Sequence, residues 1–335
     1  MKTLVCEKPG EWNWRQEEIP ELAPGEVLVK IKRVGICGTD LHAFQGNQAF
    51  FEYPRVLGHE LSGTIENSGD SDLPVGQPVL IIPYLHCGSC LACRRGSTNC
   101  CANMRVIGVH QDGGMREYLN VPKDHVLPAD GVDFDSLALV ECLAIGAHAV
   151  RRGNVSSAET CVVVGAGPIG LGCVQFAKAN GADVIVVDTN EDRLAFCERE
   201  FGVKSVKAGE GAVAKVGELT NGEFAAVVID ATGHAGAMMG AVQFCGHSAN
   251  LVYVGLTKGE ITYTHTEIHK RELTILCSRN ATREDFARVT ELMKSGSVVP
   301  SCMVTHRSTF DEMPSVFSDW LKPETGVVKA VVEVS

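Results

Sequence analysis

The sequence predicts a two-part α/β protein: a β-rich, loop-rich region over residues 1–142, a doubly wound parallel sheet over 143–280, and a return of 281–335 to complete the first region. Three observations lead there. The length of 335 residues exceeds one ordinary core and suits two domains of about 100–200 residues each. The 35 glycines call for many tight turns and strand-to-helix junctions. The hydrophobic pattern also changes near Leu143, from short, turn-punctuated strands to an alternation of strands and helices.

The opening MKTLVCEKPG has no apolar run after its lysine, so no secretory signal is expected and a cytoplasmic location follows. Val27–Ile36 and Val79–Pro83 read as strands, set off by Pro24, Gly25, Gly35, Gly38, Pro74, Gly76 and Pro78. Past Leu143, strands are expected at Cys161–Val164, Val184–Val187, Ala226–Ile229 and Leu251–Val254. Helices are expected between them at Ile169–Asn180, Asp192–Phe201 and Ala235–Phe244. An amphipathic helix, Arg283–Lys294, then precedes a terminal strand, Val327–Val334. The longest uncharged stretch, Thr160–Ala177, is broken by glycines and Pro168, which argues against a membrane span. A net charge of −11 disfavours nucleic acid and anionic membrane as partners, because both select basic surfaces.

The cysteines cluster as metal ligands do. Cys87, Cys90, Cys93 and Cys101 form C-x2-C-x2-C-x7-C, a spacing that lets four thiolates converge on one zinc with no position left for substrate. Such a site is structural. Cys100 competes with Cys101 for the fourth place, and free thiols or an iron–sulfur cluster are the other readings. A second set is assembled from GICGTDLH and GHELSG. Cys37, His59 and Glu60 offer one sulfur, one imidazole and one carboxylate, which can hold zinc and keep an exchangeable position. Glu141 lies in the apolar run LVECLAIGAHAV, where a carboxylate is costly unless paired or at a metal.

Gly165, Gly167 and Gly170, with Pro168 and Ile169 between them, make a G-x-G-x-x-G turn between the strand CVVV and a helix. Backbone amides and a helix N-terminus there can hold a pyrophosphate. Asp188 ends the next strand about twenty residues on, where a carboxylate binds the adenosine ribose diol and repels a 2′-phosphate, favouring NAD over NADP. Arg193 either flanks the adenine or is a solvated helix residue.

These segments, GICGTDLH, GHELSG, the four-cysteine cluster, VECLAIGAHAVRR and VVVGAGPIGLG, resemble in order and spacing the zinc-containing medium-chain alcohol dehydrogenases, above all the sorbitol and threonine dehydrogenase branch. The resemblance implies a GroES-like catalytic domain carrying both zinc sites and a Rossmann domain binding NAD. It implies a catalytic zinc on Cys37, His59 and Glu60, with Glu141 bound directly or through water. It further implies that Thr39 takes the alcohol proton, that His42 relays it to solvent, and that Asp40 orients His59. Thr232, Val254 and Gly255 correspond to segments beside the nicotinamide, and Ser278 and Arg279 to a segment returning to the active site. The family has proline where this chain has Cys142, and DSDLPVG replaces its usual loop after Gly69. Homodimers or homotetramers are implied.

A carboxylate-containing zinc shell directs the expectation toward a polyhydroxylated substrate. FQGNQAFFEYPRVLGHE and GVHQDGG resemble sugar-acid dehydrogenases acting on L-galactonate or L-gulonate, with Arg279, His110 and Arg116 as candidates for the carboxylate. An L-threonine 3-dehydrogenase is the enzymatic alternative, and an NAD-responsive regulatory protein the non-enzymatic one.

Overall fold

The computed structural model describes residues 1–48 and 51–335; Ala49 and Phe50, part of the sugar-acid-like segment, lie outside the described residues. The chain forms two compact units, Met1–Cys142 with Thr282–Lys294 and Val299–Ser335, and Leu143–Ala281 with Ser295–Val298. The second unit thus takes Ala281 and the short segment around the buried Val298, which the sequence reading assigned with the rest of 281–335 to the first.

In the first unit, Glu26–Ile36 is the organising strand. Its β-branched residues alternate, and Val27, Val29 and Ile31 are fully buried on one face. The sheet runs in the order Val304–Thr309, Lys329–Glu333, Glu26–Ile36, Glu60–Asn67, Pro78–Ile81, Val126–Pro128, with Tyr118–Pro122 also paired to the organising strand. Two registers fix the chemistry. Gly35 lies opposite Glu60, and Ala330 lies opposite Ile36. A separate antiparallel pair, Lys2–Lys8 with Glu11–Gln16, was not expected from the sequence.

The second unit is a six-stranded parallel sheet in the order Lys204–Lys207, Asp183–Asp188, Thr160–Val164, Ala225–Asp230, Cys245–Tyr253, Thr274–Cys277. Numbered along the chain this is 3-2-1-4-5-6, the Rossmann order, whose direction of winding reverses beside Thr160–Val164. The expected helix at Ala235–Phe244 is an α-helix only to Gly240 and a 3₁₀ turn after it. The edge strands Lys204–Lys207 and Thr274–Cys277 escape the sequence reading because they are short and largely exposed. Among the described residues, no helix is long and apolar enough to cross a membrane.

Candidate active site

Cys37 caps the helix Gly38–Gln45, and its extended backbone turns the chain from strand to helix. Asp40, three residues on, closes the cap by accepting from Cys37 N at 2.9 Å. Its other oxygen accepts from Gly58 N at 3.1 Å, which ties the helix to the residue before His59. His59 Nδ1 faces Asp40 Oδ1 at 3.6 Å, just beyond a hydrogen bond. The ligand atoms of Cys37, His59 and Glu60 all lie within 4.8 Å of one another. Thr39 Oγ1 is 3.7 Å from Cys37 Sγ, and His42, one helical turn along, is exposed.

The electrostatics of this group call for a cation. Asp40, His59, Glu60 and Glu141 are each at most 5 % exposed, so water screens them little. Burial works against a charge on His59, but Asp40 and Cys37 outweigh it and raise its pKa well above the ordinary range. Burial likewise raises the pKa values of Asp40 and Glu141, each opposed by His59. Glu60 Oε1 accepts from the buried Lys329 Nζ, and Glu141 Oε1 accepts from the Tyr84 hydroxyl. The second oxygen of each carboxylate, Oε2, is buried without a partner. Two orphaned anionic acceptors beside a thiol and an imidazole are a donor set that fits a divalent zinc. Gly35 makes the room: a Cβ there would stand 2.4 Å from Glu60 Oε2.

Among the described residues, the ligand atoms within 4.8 Å of one another are those of Cys37, His59 and Glu60, and Glu141 is not one of them. Lys329 and Tyr84 were missed by the sequence reading. For Lys329 a signal existed in retrospect, a lysine between apolar pairs in VVKAVV, but its partner is 269 residues away.

Cys87, Cys90, Cys93 and Cys101 form a second group, with Cys90–Cys93, Cys87–Cys101 and Cys90–Cys101 sulfur separations of 3.4, 3.5 and 4.0 Å. Cys100 is exposed and outside it. Backbone amides aim at the sulfurs: Cys87 N and Asn103 N donate to Cys101, and Ala102 N to Cys90. Hydrogen bonds from Ser89, backbone and side chain, and from the Cys90 amide bring the Cys87 pKa down to about 5, favouring thiolate. All fourteen cysteines are free, so the cluster is not a pair of disulfides.

In the second unit, Gly165 sits at φ +99° after Thr160–Val164, and Gly167 caps the helix Pro168–Ala179. A Cβ on Gly170 would lie 1.8 Å from the Gly165 carbonyl oxygen, so the turn requires glycine there, whereas a Cβ on Gly167 would meet open space. That open cradle at a helix N-terminus fits a dinucleotide pyrophosphate. Asp188, at the end of Asp183–Asp188, accepts from Ala166 N at 2.6 Å and Asn190 N at 2.8 Å, so it stiffens the turn and keeps lone pairs for a ribose. Arg193 is exposed on Glu191–Phe201. Thr232 Oγ1 is held by Asp230, and Val254 N and Gly255 N donate to the Asp230 carbonyl. Ser278 is buried with an unpartnered hydroxyl, and Arg279 is exposed beside it.

Residues 23–131 match the family model for the alcohol dehydrogenase GroES-like domain, and 168–295 that for zinc-binding dehydrogenase. The chain is 46 % identical over 335 residues to the L-galactonate-5-dehydrogenase of Escherichia coli K12, covering 99 % of this chain and 98 % of that one. It is 31 % identical over 328 residues to the sorbitol dehydrogenase of Halalkalibacterium halodurans, covering 95 % of each. Among solved structures, an RspB alcohol dehydrogenase from E. coli CFT073 complexed with NADH superposes with a TM-score of 0.92 at 30 % identity, over 100 % of this chain and 99 % of that one. The galactitol-1-phosphate dehydrogenase of E. coli superposes at 0.91 with 28 % identity over 100 % of both chains. The chain is a dehydrogenase of the zinc-containing medium-chain alcohol dehydrogenase family.

Proposed function

We propose that this enzyme oxidises a secondary alcohol of a sugar acid, of the L-galactonate or L-gulonate class, with NAD as hydride acceptor. The observation that carries the substrate class is the 46 % identity to an L-galactonate-5-dehydrogenase over nearly the full length of both chains. The 31 % identity to an L-threonine 3-dehydrogenase supports that alternative less.

Cys37, His59 and Glu60 would hold the catalytic zinc, His59 through Nε2 because Nδ1 faces Asp40. Glu141 would reach the metal directly or through its water, and the four cysteines would hold a structural zinc. When bound, the catalytic zinc supplies Lewis acidity that lowers the pKa of the substrate hydroxyl, and NAD accepts the hydride. Thr39 Oγ1 takes the proton of that hydroxyl and hands one on toward His42, whose exposed ring exchanges it with solvent. Lys329 neutralises one Glu60 oxygen and fixes its other oxygen in place. Gly165, Gly167 and Gly170, with Pro168 and Ile169, cradle the pyrophosphate, and Asp188 selects the unphosphorylated ribose. Arg193, Thr232, Val254, Gly255, Ser278 and Arg279 line the remainder of the cofactor path. The zinc chemistry would belong to the unit of Met1–Cys142, Thr282–Lys294 and Val299–Ser335, and the cofactor to the unit of Leu143–Ala281 and Ser295–Val298.

A homodimer or homotetramer is supported by the edge strand Thr274–Cys277, which has one sheet neighbour and exposes Ile275. A cytoplasmic setting is supported by the fourteen free cysteines. The test is NAD reduction by the zinc-loaded enzyme over L-galactonate, L-gulonate, sorbitol, xylitol, L-threonine and 2,3-butanediol. The aldonates should give the highest kcat/KM, and a preference for L-threonine would overturn the substrate assignment.

A further inference from the structure

Glu141 is 4 % exposed and Tyr84 5 %, and the Tyr84 hydroxyl donates to Glu141 Oε1. Both ends of this contact are anchored. Tyr84 pairs with Val106 in a short antiparallel ladder, and its ring packs edge-on to Phe286 at 6.0 Å between centroids. Glu141 is in the first turn of the helix Val140–Arg152. Its other oxygen has no partner, yet Glu141 is absent from the ligand atoms that converge within 4.8 Å. A buried carboxylate beside a cation site is drawn toward the ion when it binds, because an unpaired buried charge is costly. Among the described residues, the Tyr84 hydroxyl is the hydrogen-bond donor that holds Glu141 Oε1.

We propose that Tyr84 is a positioning residue, a latch that holds Glu141 back from the catalytic metal and so keeps a coordination position open for the substrate alcohol. The latch rests on the catalytic-metal reading above. Without the hydroxyl, both Glu141 oxygens are buried and unpaired, and the carboxylate moves to the metal. Four protein ligands then hold the ion more tightly and compete with substrate.

Tyr84→Phe keeps the ring, its packing and its ladder, so the fold is retained. The probe is Co²⁺ in place of zinc, followed by its visible spectrum and its rate of removal by EDTA. The site signal is the part of the spectrum lost in Cys37→Ala. Tyr84→Phe should shift that signal, slow its removal about tenfold, the scale of one hydrogen bond to a buried charge, and raise KM for the alcohol. Adding Glu141→Gln should restore the wild-type removal rate, since the amide has no charge to draw it inward. Removal from Tyr84→Phe at the wild-type rate or faster overturns the latch while leaving the metal site standing. A cobalt spectrum identical in wild type and Cys37→Ala overturns the metal reading itself, and the latch with it.

Discussion

Replacing Lys329 by methionine removes the positive half of a buried ion pair and little else. Lys329 is 2 % exposed and Glu60 0 %, so solvent screens the pair almost not at all. Methionine nearly matches the lysine stem in length, which keeps the cavity contribution small. What remains is the Glu60 charge with one oxygen newly unpaired and the Ile36 carbonyl without the ammonium that now sits 3.2 Å away. Breaking one side of such a pair costs roughly 3–5 kcal/mol, which for a unit of this size lowers the melting midpoint by roughly 10 °C. The loss should be largest in metal-free protein and smaller after zinc is added, because an ion binding only the folded state offsets it. Burial opposes the Lys329 charge, but Cys142 and Glu60 outweigh it and hold the pKa above the ordinary 10.5. The lysine therefore keeps its charge through neutral pH, and its contribution is lost as strong alkali titrates the folded lysine. Scanning calorimetry of metal-free Lys329→Met and Lys329→Met/Glu60→Gln checks this, the double variant recovering part of the loss. A single variant melting within about 2 °C of wild type would refute the reasoning.

Gly167→Ala should fold and melt as wild type, because its Cβ meets open space, yet weaken NADH about tenfold by displacing the pyrophosphate from one or two amides. Gly170→Ala should instead cost roughly 1–3 kcal/mol of stability, since its Cβ collides with the Gly165 carbonyl. Fluorescence titration and urea unfolding separate the two, and equal effects would contradict the cradle. His125 is held down to about 4 by burial and then by the charge of His86. An unfolded histidine titrates near 6.5, so stability falls as pH drops from there toward about 4, by up to about 3 kcal/mol. His125→Phe should flatten that limb in urea titrations across the window, and an unchanged slope would exclude His125. Cys90→Ser should lower solubility and release the structural zinc, measured by metal analysis, and full metal content would remove Cys90 from the cluster.

The candidate metal and nucleotide residues were legible because their signals are local. C-x2-C-x2-C, GHE and G-x-G-x-x-G each put their functional atoms within a few residues of one another, and strand or turn geometry does the rest. The parallel strands at Thr160–Val164, Asp183–Asp188 and Ala225–Asp230 were legible for a related reason. Buried on both faces, they read as continuous runs of valine and isoleucine. The short edge strand Thr274–Cys277 carries no such run. Neighbouring Cys100 and Cys101 cannot be told apart by spacing, and the structure separates them through the turn that exposes one and buries the other. What sequence could not supply is the surroundings of the two glutamates. Lys329 reaches Glu60 only because the terminal strand pairs with Glu26–Ile36, and Tyr84 reaches Glu141 across 57 residues of sequence. Those partners pair one oxygen of each buried acid and leave the other without a partner.

We propose a catalytic zinc on Cys37, His59 and Glu60 serving NAD-linked oxidation of a sugar acid. The most direct test measures zinc content and L-galactonate-dependent NADH formation in wild type and Cys37→Ala, side by side. The variant should keep its fold, lose one zinc equivalent and lose turnover. Cys37→Ala that retains both its zinc and its activity would contradict the account.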